Sequence, residues 1–413
     1  MIFIFLPSAI SIYKTSNNMS LLAERIQRLS VAQTLVMSKK ARELREEGKD
    51  IISLSIGEPD FDTPDFVKEA AISAINNNIT KYPPISGFKE LKEAVSLKFK
   101  RDNNLNYDLN QIVVSTGAKQ SIINILLSIL SKGDEVIILG PFWVSYFEMV
   151  KMADGTPVTI NSSIEDDFKV NAKQIEEAIT DKTKAVLFSS PSNPSGAVFS
   201  REELGEMAKV ISKYPQITII SDEIYEHINY NNEHVSIASF PEVYNQTATI
   251  NGVSKAFAMT GWRIGYIGAP QWLASACEKI QGQSTSGAST ISQMAAIAAL
   301  HANPNETNYM RDEFLKRRDM MYDLLSDIEG FKVNKPDGAF YFLPDISSFF
   351  GKTIKGYKIN DAQDFSMFLL VEANVALVSA QGFGEPNCIR LSYASSEENL
   401  REAVRRIKKV LSA

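Results

Sequence analysis

The fold class is decided by AVLFS (residues 185–189), REELGEMAKVISKYP (201–215) and ITIIS (217–221). The two outer runs are short, apolar and β-branched, which is typical of strands. In the middle segment apolar residues recur roughly every three to four positions, which indicates an amphipathic helix. Strands that are apolar on both faces and alternate with helices belong to a parallel sheet covered on both sides. The stretch therefore predicts an α/β fold.

The same alternation continues along the chain from about residue 110 to residue 270. Helical segments such as KQSIINILLSILSKG (119–133) lie between further short runs. The other predicted strands are QIVVS (111–115), EVIIL (135–139), TPVTI (156–160), TATIN (247–251) and RIGYIG (263–268). We therefore expect a large domain with a mostly parallel sheet sandwiched by helices.

The sequence changes in character after Asn303. A long charged helix is predicted over about residues 306–327, followed by short strands in FKVNKPDGAFYFL and CIRLSYA and a terminal helix in ENLREAVRRIKKVL. This pattern predicts a second, smaller α+β domain. The expected divisions are an extension before a more natural start at Met19 (1–18), an N-terminal arm with part of the small domain (19–62), the large domain (63–303) and the small C-terminal domain (304–413).

Composition and charge exclude several classes of protein. The 413-residue chain carries a net charge of −6 and lacks the basic footprint of a nucleic-acid binder. No run reaches the roughly 18 apolar residues of a membrane span, and the N-terminus lacks the basic region of a signal peptide. Two cysteines and three histidines stand at no metal-ligand spacing, so no metal is expected. The few cysteines suit a reducing compartment, and we expect a cytoplasmic protein.

Polar and aromatic residues follow the predicted strands at the point where each strand ends. Because ligands of such sheets bind at the carboxyl ends of the strands, we expect these residues to gather at one edge. They are Gly117, Ala118 and Lys119 after the strand at 111–115, Trp143 after 135–139, Asn193 after 185–189, Asp222 and Tyr225 after 217–221, and Ser254 and Lys255 after 247–251.

Lys255 lies in a small and apolar run, GVSKAFAMTGWRIGYIG (252–268), in which the next charge is Arg263. A buried ammonium is costly unless it is paired or neutralised. A lysine that is desolvated beside other cations becomes a nucleophile towards aldehydes. Amide groups at a helix N-terminus hold phosphate, Arg263 adds a charged fork, and an aspartate keeps a pyridine nitrogen protonated. These are the parts that hold pyridoxal phosphate, whose ring is an electron sink.

Together, the motifs resemble those of the fold-type I pyridoxal-phosphate enzymes, specifically the class I aminotransferases of the bacterial aspartate aminotransferase family. The resemblance covers nearly all of residues 20–413, and the order and spacing of the motifs make it specific. The motifs are SIGEPDFDTP (55–64), KYPPISG (81–87), STGAK (115–119), GPFWVSY (140–146), NPSG (193–196), SDEIYEH (221–227), GVSKAFAMTGWRIGY (252–266), PDGAFY (336–341) and IRLSYA (389–394).

The resemblance implies a role in cofactor binding for each matched residue. Lys255 would form the covalent link to pyridoxal 5′-phosphate and move the substrate proton, and Asp222 would pair with the pyridine nitrogen. The other contacts would be Asn193 and Tyr225 at the phenolic oxygen, Trp143 on the ring face, and Gly117, Ala118, Ser254 and Arg263 at the phosphate, with Lys119 beside them. Tyr82 would reach the phosphate from a neighbouring subunit, which implies a homodimer with shared active sites.

Substrate contacts follow from the same resemblance. They would be Arg390 and Gly57 at the α-carboxylate, Trp143 and Asn193 beside them, and Lys119 with Thr34 at the distal carboxylate of the substrate. An arginine suits an α-carboxylate because its fork binds both oxygens. Ala32 stands where a serine is also found in the most similar branch. One position departs from the family pattern, because Gly252 replaces a hydroxyl residue that often binds the phosphate.

The resemblance implies an aspartate:2-oxoglutarate aminotransferase (EC 2.6.1.1) with a ping-pong mechanism. Close relatives also accept prephenate, and Lys169 resembles a lysine associated with that activity, although a solvated lysine in a polar loop is the simpler interpretation. An aromatic aminotransferase, a C–S β-lyase on the same fold and a non-catalytic pyridoxal-phosphate-binding regulator are further hypotheses. A regulator of that kind usually carries a basic DNA-binding segment, and the residues before position 50 offer none.

Overall fold

The computed structural model describes residues 21–31, 33–231 and 234–412, without the side chains of Gln33 and Thr34. The predicted extension at 1–18 lies outside the described residues, as does Ala32. Within the described ranges the chain forms a large sheet covered by helices and a smaller α+β part.

Strands and helices alternate along most of the chain. In chain order the strands are β1 (Ile52–Ser53), β2 (Ile112–Ser115), β3 (Glu135–Leu139), β4 (Thr156–Ile160), β5 (Thr183–Ser189), β6 (Thr218–Asp222), β7 (Thr247–Gly252), β8 (Gly265–Gly268), β9 (Tyr341–Phe342), β10 (Thr353–Ile354), β11 (Tyr357–Lys358), β12 (Val375–Ala376), β13 (Val378–Ser379) and β14 (Ile389–Ser392). The seven-stranded sheet has the order β2-β8-β7-β6-β5-β3-β4. In it β8 is antiparallel to β2 and β7, and the other neighbouring strands are parallel. The predicted α/β fold with a mostly parallel sheet is confirmed.

Most of the helices pack their apolar faces against this sheet or within the smaller part. They are α1 (Glu24–Arg28), α2 (Gln33–Glu46), α3 (Asp65–Asn76), α4 (Lys89–Asn103), α5 (Ala118–Ile129), α6 (Val144–Met152), α7 (Ala172–Ala178), α8 (Arg201–Ile211), α9 (Pro241–Tyr244), α10 (Gln271–Ser284), α11 (Thr290–His301), α12 (Asn308–Ser326), α13 (Ala362–Glu372) and α14 (Glu397–Leu411). No helix among the described residues is both long enough and apolar enough to cross a membrane.

Helix α8 shows why the stretch at 185–221 folds as predicted. Ser200 caps its N-terminus by accepting a hydrogen bond from the Glu203 N–H at 3.2 Å, and the Glu203 carboxylate accepts one from the Ser200 N–H at 2.7 Å. This capping box satisfies two backbone donors that the first turn of a helix leaves unpaired. The face carrying Leu204, Met207 and Ile211 is buried against the sheet. The amphipathic pattern and the cap therefore agree on where the helix begins.

Glycines allow two loops to approach each other at the carboxyl edge of the sheet. Gly252 of β7 pairs with Gly265 of β8, so the loop between them, which carries Lys255, is held at this edge. A Cβ atom on Gly265 would overlap the backbone at Gly117 and Ala118, where α5 begins. The start of α5 and the lysine loop are therefore adjacent because no side chain separates them.

The smaller part combines the C-terminal region with the N-terminal strand. It contains the three-stranded sheet β13-β14-β9 and the parallel pair of β1 with β12. A shared hydrophobic core joins these strands to α12, α13 and α14. The predicted long helix after Asn303 and the terminal helix are present as α12 and α14. The domain boundaries at 62/63 and 303/304 stay predictions.

Candidate active site

A cavity of about 350 Å³ lies where the strands of the large sheet end. It brings together most of the residues that the sequence predicts for the site. Those lining it are Gly57, Ala118, Lys119, Trp143, Asn193, Asp222, Tyr225, Ser254, Lys255, Arg263 and Arg390. Gly117 directly precedes Ala118 and caps the helix α5.

Besides Gly117, two predicted site residues are not among those lining this cavity. Tyr82 is 97% exposed and lies at a separate hollow beside Pro83 and Gly287. The side chain of Thr34 lies outside the described residues. Because the role of Tyr82 requires a neighbouring subunit, one chain does not test it, and both assignments stay predictions.

The ammonium of Lys255 donates a hydrogen bond to the Gly57 carbonyl oxygen at 2.6 Å. Burial lowers the pKa of Lys255 to about 8; Glu58 opposes this shift, and the positive charges of Arg263 and Arg390 add to it. A lysine with such a pKa is partly unprotonated near neutral pH. It can therefore act as a nucleophile and as a base.

Asp222 is the last residue of β6, and its buried carboxylate is the acidic counterpart of Lys255 in the cavity. The Tyr146 hydroxyl donates to its Oδ2 at 2.6 Å, and the Ile224 N–H donates to its Oδ1 at 3.2 Å. Burial raises the pKa of Asp222 to about 6, although both hydrogen bonds act to lower it. Above that pH the carboxylate is charged and available to a cationic partner in the cavity.

Arg390 on β14 is 2% exposed and is held from several sides. Its Nη1 donates to Asn193 Oδ1 at 2.9 Å, and its Nη2 donates to the Ser55 carbonyl oxygen at 2.7 Å. The guanidinium lies 4.6 Å from the ring centre of Tyr341. Its buried Nε has no hydrogen-bond partner within the described ranges. A buried guanidinium with an unused donor suits a carboxylate ligand.

Tyr225 lies between these charged groups. Its hydroxyl is 2.7 Å from the Tyr341 hydroxyl, and its ring centre is 5.8 Å from the Lys255 ammonium. Burial raises the pKa of Tyr225 well above its ordinary value, so the phenol stays protonated and can donate a hydrogen bond.

The other end of the cavity is suited to an anion. No side chain among the described residues caps the N-terminus of α5, which leaves its first N–H groups for a ligand. Gly117 has a φ of +83°, and a Cβ there would overlap the Arg263 guanidinium. The Lys119 ammonium lies 4.8 Å from the ring centre of Trp143, and burial and the nearby Arg263 lower the pKa of Lys119. The backbone N–H donors of α5 and the cations Lys119 and Arg263 thus lie together at this end of the cavity.

The structure explains why Gly252 departs from the family pattern. A Cβ at this position would lie 2.8 Å from the Ile264 carbonyl oxygen and 3.1 Å from the Cα of Gly265. Neither contact can relax easily, because both atoms belong to the backbone of the neighbouring strand region. A hydroxyl side chain at residue 252 is therefore disfavoured by the close approach of β7 and β8.

Lys169 does not reach the cavity. It is half-buried and pairs with Glu203 of α8 at 3.1 Å. Neither residue lines the cavity. The association of Lys169 with prephenate stays a prediction. Within the described residues its ion-pair partner is Glu203 on α8.

Sequence reasoning missed two phenols that hold the predicted residues. Tyr146 donates to Asp222, and Tyr341 is paired with Tyr225. Both lie in motifs that carry the family resemblance, GPFWVSY and PDGAFY. The signal for Tyr146 was its position one helical turn after Trp143, which places both residues on the same side of α6. No local pattern indicates the contact of Tyr341, because the residues that it joins are 116 apart.

The residues of the cavity fit a phosphorylated pyridine aldehyde. An amine of lowered pKa, a buried carboxylate and a glycine-lined cationic end are present together in one cavity. Lys255 provides the amine for the aldehyde, Asp222 the counter-charge for a pyridine nitrogen, and the start of α5 with Arg263 the donors for a phosphate. Arg390, which also lines the cavity, remains for a second, carboxylate-bearing molecule.

Comparison with protein families agrees with this site. Residues 49–407 match the family model described as aminotransferase class I and II. The chain is 46% identical over 395 residues to a bifunctional aspartate aminotransferase and glutamate/aspartate-prephenate aminotransferase of Petunia hybrida, covering 94% of this chain and 82% of that protein. It is also 46% identical over 399 residues to a probable aspartate/prephenate aminotransferase of Rickettsia felis, covering 95% and 96% of the two chains.

Solved structures show the same similarity. The aspartate aminotransferase of Rhizobium meliloti superposes with a TM-score of 0.92 at 41% identity, covering 95% of this chain and 98% of that one. The aspartate aminotransferase of Thermus thermophilus with maleate gives a TM-score of 0.89 at 40% identity, covering 94% and 99%. Fold and sequence thus lead to the same group of proteins.

Proposed function

The chain belongs to the class I and II aminotransferase family, and from this premise we propose that it transfers the amino group of L-aspartate to 2-oxoglutarate. The products are oxaloacetate and L-glutamate. The observation that carries the proposal is the meeting of Lys255, Asp222 and Arg390 in one cavity. These residues provide the amine, the counter-charge and the carboxylate site that amino-group transfer requires.

We propose pyridoxal 5′-phosphate as the cofactor. Bound there, it supplies an electron sink for the negative charge that develops at the substrate Cα. Asp222 would hold a proton on the pyridine nitrogen, and the phenol of Tyr225 with the amide of Asn193 would donate to the phenolic oxygen. Ser254, Arg263 and the start of α5 would hold the phosphate.

The reaction follows from what the residues of this chain do with the amino acid. Arg390 binds the α-carboxylate and so fixes which bond at Cα faces Lys255. Lys255, once unprotonated, would remove the Cα proton as a base and, in its protonated form, would act as the acid that returns it. The keto acid leaves and the second keto acid enters the same site, so one set of residues performs both half-reactions.

The preference for a dicarboxylic substrate is assigned to Lys119. Its ammonium lines the cavity beside the ring of Trp143, where it would bind a second carboxylate while Arg263 and the start of α5 hold the phosphate. The relatives named as aspartate or aspartate/prephenate aminotransferases support an acidic substrate. The same names make prephenate a second candidate, and comparison of kcat/KM for aspartate, glutamate, prephenate, phenylalanine and alanine separates the two.

We also propose a cytoplasmic homodimer in which Tyr82 of each chain completes the site of the other. The 97% exposure of Tyr82 supports this assignment, because its side chain is accessible to a neighbouring chain. The two cysteines, Cys277 and Cys388, are free and buried, which suits a reducing compartment.

The proposal is tested on protein purified with added pyridoxal phosphate. We expect a visible absorbance that is lost on borohydride reduction, with the label on Lys255 in a peptide map. Lys255→Ala should show no stable label. A colourless, unlabelled wild-type protein would overturn the proposal. Release of pyruvate from cystathionine without amino transfer would instead assign a β-lyase.

A further inference from the structure

A buried ion array lies behind the segment that carries Asp222 and Tyr225. Lys98 of α4 is 1% exposed, and its ammonium pairs with the carboxylate of Glu226. Lys98 also donates to Asn103 Oδ1 at 2.7 Å, and Asn103 donates to Glu226 Oε2 at 2.8 Å. His227 Nε2 lies 3.0 Å from Glu226 Oε1. We call Lys98, Asn103, Glu226 and His227 the ion array.

Stability does not account for this array. Withdrawing two charges from water is costly, and apolar residues of the same volume often serve a core equally well or better. Lys98 nevertheless lies next to Phe99, within the apolar layer between α4 and the sheet. Burial raises the pKa of Glu226, but Lys98 and His227 outweigh it and hold that pKa well below its ordinary value. Glu226 is therefore held as a carboxylate, and a reason other than packing is required for this buried ion pair.

The array is not a metal site. Ligand atoms of Asp102, Glu226 and His227 lie within 4.8 Å of one another, a spacing that a metal ion could use. However, the Lys98 ammonium already pairs with Glu226 and lies 4.0 Å from Asp102. A fixed cation in this position repels a metal ion and supplies the charge that one would bring.

The array anchors a turn that has little regular structure of its own. After β6 the backbone closes two short turns, with Glu226 N–H bonded to Glu223 O at 2.9 Å and Ile228 N–H bonded to Tyr225 O at 2.8 Å. Tyr225 lines the cavity, whereas its neighbour Glu226 is tied to α4. Because Glu226 is held in place, the direction in which the side chain of the preceding residue, Tyr225, projects is also fixed.

A second carboxylate anchors the same segment on its other side. Glu223 accepts hydrogen bonds from Ser221 Oγ at 2.9 Å and Ser236 Oγ at 2.6 Å, and its Oε2 lies 2.9 Å from His234 Nε2. The two glutamates of SDEIYEH are therefore both committed to holding the backbone between them. The backbone so held carries Tyr225, which is proposed to contact the cofactor.

We infer that Lys98 and Glu226 are positioning residues that orient Tyr225 for catalysis. The inference rests on the proposed function, because it takes the role of Tyr225 at the cofactor as given. A charge-assisted pair is directional and stronger than a neutral one, so it holds a turn where a hydrophobic contact would let it move. The cost of burying the charges is thus offset by a fixed geometry at the cavity.

The test compares Lys98→Met with Lys98→Met/Glu226→Gln, both loaded with pyridoxal phosphate. Lys98→Met leaves a buried carboxylate uncompensated, so its Tm should fall. In the double variant neither charge remains, and Tm should recover towards wild type. In the double variant, kcat should stay about 10-fold below the wild-type value, and KM should stay within about two-fold of it. The pH midpoint of the visible absorbance should rise, because Tyr225, the proposed donor to the chromophore, is no longer fixed.

Lys213→Met/Glu176→Gln is the matched control, since it makes the same change in an exposed pair 2.7 Å apart. It should leave the absorbance midpoint and kcat unchanged. If the double variant of the array regains Tm, kcat and the wild-type midpoint together, the array is only structural and the inference is wrong.

Asn103→Ala provides an independent variant if the double variant does not fold. It removes the bridging amide but leaves the two charges paired, so Tm should fall less than in Lys98→Met, and the midpoint should move in the same direction as in the double variant. An unchanged midpoint and kcat would overturn the inference. A wild-type protein without visible absorbance would instead overturn the proposed function, so the two failures are distinguishable.

Discussion

At the scale of single residues, burial acts in the same way on both charged groups of the cavity. It raises the pKa of Asp222 to about 6 and lowers the pKa of Lys255 to about 8, favouring the neutral form of each. Without a ligand, the chain thus holds two groups whose charged forms are disfavoured. Such paired shifts in a cavity are typical of catalytic sites, where folding stability is given up for reactivity.

Asp222→Asn should therefore lose activity and gain stability. A group whose pKa is raised by folding favours the folded state below its unfolded pKa of about 3.9, and this contribution is lost as the pH rises through about 6. Asparagine does not titrate, so the variant without cofactor should gain up to about 3 kcal/mol relative to wild type between pH 4 and pH 8. Urea unfolding at both pH values measures this difference.

In the cofactor-loaded enzyme the same variant should lose most of its kcat, because an amide does not stabilise a protonated pyridine nitrogen. Asp181→Asn, at an exposed position, is the control and should change neither quantity. A variant that raised KM alone would contradict the role assigned to Asp222.

Lys119→Met should change substrate choice more than catalysis. If its ammonium binds the distal carboxylate, its loss removes a charge-assisted hydrogen bond worth about 1.5–3 kcal/mol. This corresponds to a roughly 10- to 150-fold fall in kcat/KM for aspartate, whereas alanine and phenylalanine should be unaffected. Lys132→Met, at an exposed position, is the control. An equal loss for all substrates would mean that Lys119 serves the cofactor or the fold.

At the scale of elements, the contact between β7 and β8 decides where Lys255 lies. Gly252→Ser places a Cβ against the backbone of Ile264 and Gly265. We expect this overpacking to cost about 1–3 kcal/mol and to weaken cofactor binding, because the strands must separate beneath the lysine loop. Thermal unfolding and a titration with pyridoxal phosphate measure the two effects.

Gly261→Ser tests whether the contact between β7 and β8 causes the loss of stability and of cofactor affinity. Gly261 lies in the same loop, and a Cβ there meets nothing within 4 Å. It should therefore leave both stability and cofactor affinity close to wild type. Equal effects from the two substitutions would mean that the loop is sensitive to any side chain and that the strand contact is not decisive.

At the scale of the whole molecule, shared sites predict complementation between two defective chains. Lys255→Ala removes the catalytic amine, and Tyr82→Ala removes the proposed contact to the neighbouring site. A mixed dimer contains one site with both residues intact, so co-refolded chains should recover about a quarter of wild-type activity at limiting cofactor. Size-exclusion chromatography and activity of the mixture against each parent test this. Activity no greater than the mean of the parents would assign Tyr82 to its own chain or to none.

The strands and their order along the chain were accessible from the sequence because their information is local. AVLFS and ITIIS are apolar on both faces, and helix α8 has a capping box at its start. The positions at which these strands end also indicated Asp222 and Lys255, because in a parallel sheet all carboxyl ends share one edge. Their roles, however, came from the resemblance to a family and still await the tests above.

The sequence by itself determined the fold class and the residues gathered at one edge of the sheet, since periodicity and strand ends are properties of neighbouring residues. Only the tertiary structure decided what holds those residues. The contact of Tyr341 with Tyr225 and the ion pair of Lys98 with Glu226 join segments more than 100 residues apart. Their existence depends on burial, and burial is a property of the packed molecule that no short run of sequence contains.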